Sequence, residues 1–561
     1  MLSFGITDDE LEIAKKEVLS YFDSEALTSS SRRSTRIAQQ IIGSLNSNRV
    51  YQSPAQEKEL AEILMENISG YDMHQVLLRL WDRQHKLIQL SGNIELNGQD
   101  PGKEIELVYA NAAQQSIKPY VKGQEKIFPY LTAPAQPAKP LNKVSHKKID
   151  SETFTYANGA VLNLKKTDFK KNEVDIIIRF GPGKRTEPSE GVGMMAESIV
   201  NSSGSGKLTS AEMADALAGT SIDYDFNITS SAFVLRGNSL TRDFSLLMQT
   251  LYTLYLDPGI REDVFRSKKK RYQQMYESLQ SDVWGAEALY VDDFLSGGNK
   301  LYSMASWQEV AGIEFNQLYN WVKAGFDKAI PEISVVGDFN RDEVIDLVNR
   351  YFGSLKTIRQ KHKSQNLTFF PVGKSLDLTI TSELDKALVV YGWKTTDFSN
   401  IKTVRRLQFL ASVVEERLRL VVREKLGASY SPSVYNHSSQ IIPGFGIMYV
   451  KIITETKYIE SVRSAVDQVV GELTNKGVGE NEVRRVKDPL LTSLKDRIQT
   501  NRYWLNSVLS GSSSQPARLT WPTTLIMDNA SITADEINQI AKKYLDTENA
   551  AVVIIKAERK K

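Results

Sequence analysis

Apolar residues recur along the chain at two periods, and each period marks a different element. Leu418, Val421, Val422 and Leu426 fall at helical spacing. Residues 418–431, LRLVVREKLGASYS, therefore predict the end of an amphipathic helix, a turn at Gly427 and a strand entering with Tyr430. Arg423 falls off the apolar stripe, and the turn lets Tyr430 fold back beside it. A guanidinium and a phenol are donors suited to polarising a peptide carbonyl. On spacing alone, packing accounts for both residues.

The same rhythm of elements recurs three times. One signature stands at Gly5-Ile6, Gly259-Ile260 and Gly477-Val478. An acid follows three positions after each glycine (Asp8, Glu262, Glu480), and a lysine follows ten after (Lys15, Lys269, Lys487). Acids in a first turn and lysines further along suit a helix dipole, so each signature opens a predicted helix. A second signature follows at fixed offsets: Ile68, Asp72, His74 and Gln75; Val310, Glu314, Asn316 and Gln317; Ile532, Glu536, Asn538 and Gln539. Each starts a helix that runs into an apolar strand, at 87–90, 333–336 and 551–555. So many matches at constant spacing mark an internal repeat.

The front half of the repeat is legible only in the second and third copies. The second opens near Ser151 with two strands around Asn158-Gly159, a hairpin signal, and then a buried strand at 174–178. The third has strands at 376–380 and 387–391. Antiparallel hairpins with paired helices predict an α+β fold: repeated modules of a mainly antiparallel sheet with helices packed on it. The expected organisation is a truncated module over 1–116, a linker over 117–150, a complete module over 151–355, a short connector over 356–375 and a last module over 376–561. Within the first part, helices are expected at 8–22, 55–66 and 72–83, and a further strand at 105–107. Five prolines between Pro119 and Pro140 predict an extended linker that builds no core. The chain starts inside a module, which predicts that 1–116 is its least stable region.

Composition adds exclusions. A net charge of +2 gives no electrostatic case for nucleic acid. No run is long enough to span a membrane, and the start lacks the basic and apolar regions of a signal peptide. The compartment is left open, because a chain with no cysteine suits the cytoplasm and the periplasm equally. The five histidines (74, 85, 146, 362 and 437) form no pair at metal-binding spacing. Glycine-bearing stretches at 181–184 and 204–207 lack the full phosphate-loop pattern and read as turns. The basic run 266–271 reads as a solvated helix face.

The threefold repeat, the proline-bearing linker and REKLGASYS at 423–431 together resemble the pitrilysin/insulinase family of zinc metallopeptidases. That family has four related modules and binds zinc through a His-x-x-Glu-His motif in the first. The resemblance implies that this chain is the end of module two, the linker and modules three and four. It implies that Arg423 and Tyr430 bind peptide substrate near the scissile bond. In module three, Met194 and Ser198 stand at the two histidine positions of the motif and only Glu197 is kept, so this copy is expected to hold no metal.

The resemblance thus implies the substrate-binding part of a zinc endopeptidase, with no cofactor in this chain and with zinc in a module upstream of Met1. The implied partners are a peptide or protein substrate and a zinc-bearing half or subunit. Activity of this chain alone is not expected. The other reading is a catalytically silent peptide-binding or assembly subunit that works beside a separate zinc-bearing chain.

Overall fold

The computed structural model describes residues 1–82, 86–91, 100–119, 126–358, 369–426 and 432–558. The chain forms two compact units: Met1–Phe128 with Ala214–Ser221, and Pro129–Met213 with Ile222–Lys561.

The first unit is built from helices α1 (Asp8–Leu27), α2 (Ser34–Asn46), α3 (Pro54–Asn67), α4 (Gly70–Trp81) and α5 (Pro101–Ala113). Capping boxes start three of them, at Thr7 with Glu10, Ser53 with Gln56 and Ser69 with Asp72. Helix α3 packs along α1, with Lys58 Nζ 2.6 Å from Asp23 Oδ1. Of the described residues between 1 and 119, only Pro54 and Ala61 are buried. Two strand expectations fail here. The stretch 87–90 is not a strand, because none of the described residues of this unit offers a neighbouring strand to share its backbone hydrogen bonds. Residues 105–107 lie inside α5, whose start is set by Asp100 as cap and Pro101 in the first turn.

The second unit holds two sheets. The seven-stranded sheet is ordered β1-β2-β3-β7-β4-β6-β5. Its strands are β1 (Asn142–His146), β2 (Ser151–Thr155), β3 (Val161–Lys166), β4 (Glu173–Phe180), β5 (Asp223–Ile228), β6 (Phe233–Leu240) and β7 (Glu332–Gly337). The five-stranded sheet is ordered β10-β11-β9-β12-β8. Its strands are β8 (Ser375–Thr381), β9 (Ala387–Thr395), β10 (Ser433–Ser438), β11 (Gly446–Thr454) and β12 (Ala551–Glu558). Each sheet has one parallel pair, β3 with β7 and β8 with β12, and is otherwise antiparallel. From β3 onward the two share one topology: β3, β4, β5, β6 and β7 correspond to β8, β9, β10, β11 and β12. The Asn158-Gly159 turn joins β2 to β3, with Gly159 at φ +86° where a side chain is disfavoured.

Helices α6 (Val192–Ser203), α7 (Ser210–Leu217), α8 (Phe244–Leu256), α9 (Glu262–Leu279), α10 (Val283–Leu295), α11 (Trp307–Ala311), α12 (Phe315–Phe326) and α13 (Arg341–Tyr351) accompany the first sheet in sequence. Helices α14 (Ile401–Leu426), α15 (Ile459–Asn475), α16 (Glu480–Ile498), α17 (Trp521–Ala530) and α18 (Ala534–Tyr544) accompany the second. The acids of the first signature are the first residues of α1, α9 and α16. The inner face of the first sheet packs against α6, α8, α9 and α12 through Ile176, Ile178, Met195, Leu251, Phe265 and Val322. The second packs against α14, α15, α16 and α18 through Val389, Trp393, Leu410, Val466, Val483 and Ile537. Each such side chain, fully buried, stabilises the fold by roughly 1.5–3 kcal/mol.

The outer faces are covered by exchange. Val283, Ala286, Val291 and Leu295 of α10 leave the first sheet's helices and pack on Leu388, Val390, Ile447 and Val553 of the second sheet. In return Tyr503, Leu505, Val508 and Leu509, on the π-helical turn Tyr503–Leu509, pack on Ile177, Val234 and Val336 of the first sheet. A buried carboxylate fastens the second contact. Glu332 Oε1 accepts from the backbone N–H of Gly511 at 3.0 Å and of Ser513 at 3.3 Å, and from Asn163 Nδ2 at 3.2 Å. Burial pushes the Glu332 carboxyl up, against the opposing pull of Arg179 and Arg518.

The proline-bearing stretch does more than span. Leu131, Ala133 and Ala138 pack against the first core, Ala138 N donates to Asn349 O at 3.0 Å, and β1 pairs with β2. Apolar residues lie between its prolines, so residues 131–138 join the edge of a core that composition alone denied them.

Candidate functional site

Helix α14 positions the candidate substrate-binding residues. Its 26 residues carry an apolar stripe of Leu407, Leu410, Val414, Leu418 and Val422, all buried, with Val421 partly so. Polar ties fix it along its length. Arg405 and Arg406, both nearly inaccessible, share the carboxylate of Asp528, and Arg406 also reaches Glu536. Arg417 grips Glu482 with two parallel bonds of 2.6 and 2.7 Å and donates to Gly477 O at 2.8 Å. Glu482 in turn holds the Arg417 guanidinium above its usual range. The strand beyond returns to the same helix: Val434 N, at the start of β10, donates to Glu415 Oε1 at 3.4 Å.

Arg423 falls in the last turn of α14 by its backbone. Helical register aligns position 423 with the exposed Arg419 and Leu420. The side chain of Arg423, with Gly427 and Tyr430, lies outside the described residues.

Helix α6 occupies in the first sheet the place of α14 in the second, between the strands β4 and β5. It carries Met194, Glu197 and Ser198. Glu197 Oε2 accepts from Ile228 N at 2.8 Å, while Asn201 pairs with both backbone groups of Phe226, so α6 is laced to β5. Tyr272, from α9, donates its hydroxyl to Met194 O at 3.3 Å, and burial raises that phenol's pKa. A thioether, a hydroxyl and a carboxylate already engaged by a backbone N–H do not fit a zinc ion. No three metal-ligating side chains converge elsewhere among the described residues.

The histidines serve local packing. His74 Nε2 is 3.0 Å from Leu2 O, His146 Nε2 is 3.0 Å from Thr153 Oγ1, and His437 stands edge-on to Tyr302. Burial lowers the His437 pKa. His85 and His362 lie outside the described residues. Residues 183–186 form a short 3-10 turn, and Ser205 bridges to Pro258. In the basic run, Arg266 pairs with Glu262 and Lys269 donates to Ile313 O. The Arg417–Glu482 fork and the Glu332 clasp were not legible in the sequence, since each joins residues far apart in the chain with no local pattern.

Residues 312–490 match the family described as peptidase M16 inactive domain. The probable zinc protease PqqL of Escherichia coli is 20% identical over 567 residues, covering 96% of this chain and 58% of the relative. The chloroplastic stromal processing peptidase of Arabidopsis thaliana is 22% identical over 435 residues, covering 66% of this chain and 34% of the relative. The chain thus spans little more than half the length of the first of these. Among solved structures, the periplasmic protease PqqL of E. coli superposes with a TM-score of 0.66 at 16% identity, over 99% of this chain and 62% of that one. The peptidase M16 inactive domain from Pseudomonas fluorescens gives 0.63 at 17%, over 73% of this chain and all of that one. These matches make the chain similar to M16 zinc proteases along most of its length, and its residues 312–490 match the peptidase M16 inactive domain.

Proposed function

We propose that this chain is the substrate-enclosing, non-zinc part of an M16-type endopeptidase, with Arg423 and Tyr430 binding the peptide backbone. Its modules would be 151–355 and 376–561, joined by the connector 356–375. The observation that carries the reading is the anchoring of α14. Arg405, Arg406 and Arg417 tie it to the surrounding helices, so the turn bearing Arg423 has a fixed platform. A guanidinium and a phenol held there would donate to a carbonyl oxygen and stabilise negative charge developing on it. Zinc chemistry belongs to a partner module, because the donor set on α6 does not suit the ion.

The test is peptide binding by the purified chain, followed by fluorescence anisotropy with a labelled unstructured peptide. Arg423→Ala and Tyr430→Phe should each weaken binding about tenfold, the worth of one charge-assisted or neutral hydrogen bond. Binding that ignores both substitutions sinks the assignment. Peptide hydrolysis by this chain with stoichiometric bound zinc would overturn the division of labour. The second reading, a silent binding subunit, rests on the Glu197–Ile228 bond that occupies the one retained motif residue. It predicts the same peptide binding, by a subunit that co-purifies with a separate zinc-bearing chain.

A further inference from the structure

The two sheets share a topology, yet they end differently on one side. In the first sheet, β3 carries β7 on one edge and the antiparallel strand β2 on the other, with β1 beyond it. In the second sheet, β8 stands at the place of β3 and pairs with β12, and among the described residues no strand lies on its other edge. Val552 N donates to Lys374 O at 2.9 Å and Ser382 N to Glu558 O at 3.0 Å, so the even-numbered residues of β8 turn their backbone groups to β12. By the alternation of a strand, the N–H and C=O groups of Ser375, Asp377, Thr379 and Thr381 point to the open edge. Natural edge strands are commonly blunted by lysine, proline or a bulge. Within its seven residues, Ser-Leu-Asp-Leu-Thr-Ile-Thr, β8 has neither lysine nor proline.

We propose that the open edge of β8 pairs with β8 of a second copy of this chain, antiparallel about a two-fold axis at Leu378, and so joins two five-stranded sheets into one. The strand is self-complementary about that centre. Leu376 falls opposite Ile380 of the second copy and Leu378 opposite itself, all on the half-buried face that packs beside Leu388 and Val553 under α10. Asp377 falls opposite Thr379 and Ser375 opposite Thr381, on the exposed face, so no charge meets its like. These are also the pairs whose backbone groups point to the open edge, so each exchanges two hydrogen bonds. Moving the centre to Asp377 would set that carboxylate against its own copy and shorten the ladder. Two exposed apolar residues stand at equal distances before and after Leu378: Val372, 52% exposed, and Leu384, 58% exposed. The same axis brings each toward the other's copy at the ends of the paired strands and gives both apolar cover. The inference rests on the strand pattern and not on the peptidase reading, so either can fail alone.

The chain has no cysteine, so a single introduced thiol reports the register. At the two-fold centre, position 378 faces its copy in a non-hydrogen-bonded pair with Cα atoms about 4.5 Å apart, within disulfide range. Position 376 lies roughly 13 Å from its copy along the strand. Leu378→Cys in the purified full chain should therefore form a covalent dimer under mild oxidation at least tenfold faster than Leu376→Cys, read on a denaturing gel. Sedimentation equilibrium of the parent chain should show a dimer. Thr379→Asp sets a second carboxylate opposite Asp377 twice in each dimer and should weaken it about tenfold, whereas Thr379→Lys should tighten it. Thr379 is exposed, so both variants should keep the parent's thermal melt. A monomer at every concentration from about 1 to 100 μM overturns the proposal. So does equal cross-linking of the two cysteine variants. A monomer whose Thr379 amide is still protected from hydrogen exchange would show that another segment of the chain covers the edge, and the proposal fails.

Discussion

Val76 and Leu318 stand at the same position of the repeat, one residue after the shared glutamine, and so do Leu80 and Val322. In the second copy both side chains are fully buried; in the first, Val76 is 39% and Leu80 56% exposed. The pattern of apolar positions is alike, so the difference lies in what covers it. Around α12 a sheet of seven strands and its helices close over the stripe, whereas α4 has no sheet among the described residues of its unit. An amphipathic pattern states which face seeks cover. It does not state that cover is present, and stability follows the cover.

The largest expected effect comes from truncating that one repeat position in both copies. Leu318→Ala should lower unfolding stability by about 2–5 kcal/mol, read as a shift of the urea midpoint, and Val76→Ala by under ~1 kcal/mol. Equal losses would break the comparison. A strut of the third copy comes next. Arg417→Ala leaves the Glu482 carboxylate and the Gly477 carbonyl without their donor in a mostly buried setting, and should cost about 2–3 kcal/mol.

The signature glycines sharpen the contrast further. Gly5 and Gly477 are both left-handed, at φ +76° and +75°. A Cβ at Gly477 would come within 2.5 Å of Asn538 Oδ1, which is already bound to Val478 N at 2.7 Å. At Gly5 the nearest atom is His74 Nδ1 at 3.5 Å. Gly5→Ala should therefore cost about 1 kcal/mol of conformational strain, and Gly477→Ala about 2 kcal/mol. Thermal melts that rank them the other way would show that Asn538 can move aside.

The smallest effect is a slope. Burial raises the Glu332 carboxyl pKa, so the folded chain keeps a proton there that the unfolded chain has released. The sign is fixed: stability falls as pH rises from the ordinary glutamate value, 4.5, through the raised one. Glu332→Gln keeps the acceptor for Gly511 and Ser513 but cannot ionise. It should remove up to ~1.4 kcal/mol per pH unit of slope across that window, read from urea midpoints at stepped pH.

Much of the architecture could be read from the chain before any coordinates. The repeat offsets put the helix starts on Asp8, Glu262 and Glu480, and the Asn-Gly turn and apolar runs marked β2, β3, β4, β7, β8, β9 and β12, though not β1, β5, β6 or β11. Local patterns sufficed there because capping, turn chemistry and periodicity act over a few residues. Where the reading failed, a distant partner decided. The 87–90 run has strand composition but no ladder to join, and 105–107 yields to the Asp100-Pro101 helix start. The exchange of covers was invisible because α10 looks, by pattern, like one more helix for its own sheet. Of the candidate site, the sequence supplied Arg423 and Tyr430 by likeness, and the platform under Arg423 came only from the fold.

The crossed covers have a consequence for biosynthesis. The first sheet is complete once residue 337 has left the ribosome, but the turn that shields it is among the later parts to be made. Until then a broad apolar surface of the nascent chain, including Ile177, Val234 and Val336, stands open to the cell. A chain cut short anywhere between the two would carry one naked sheet, prone to stick to whatever it meets.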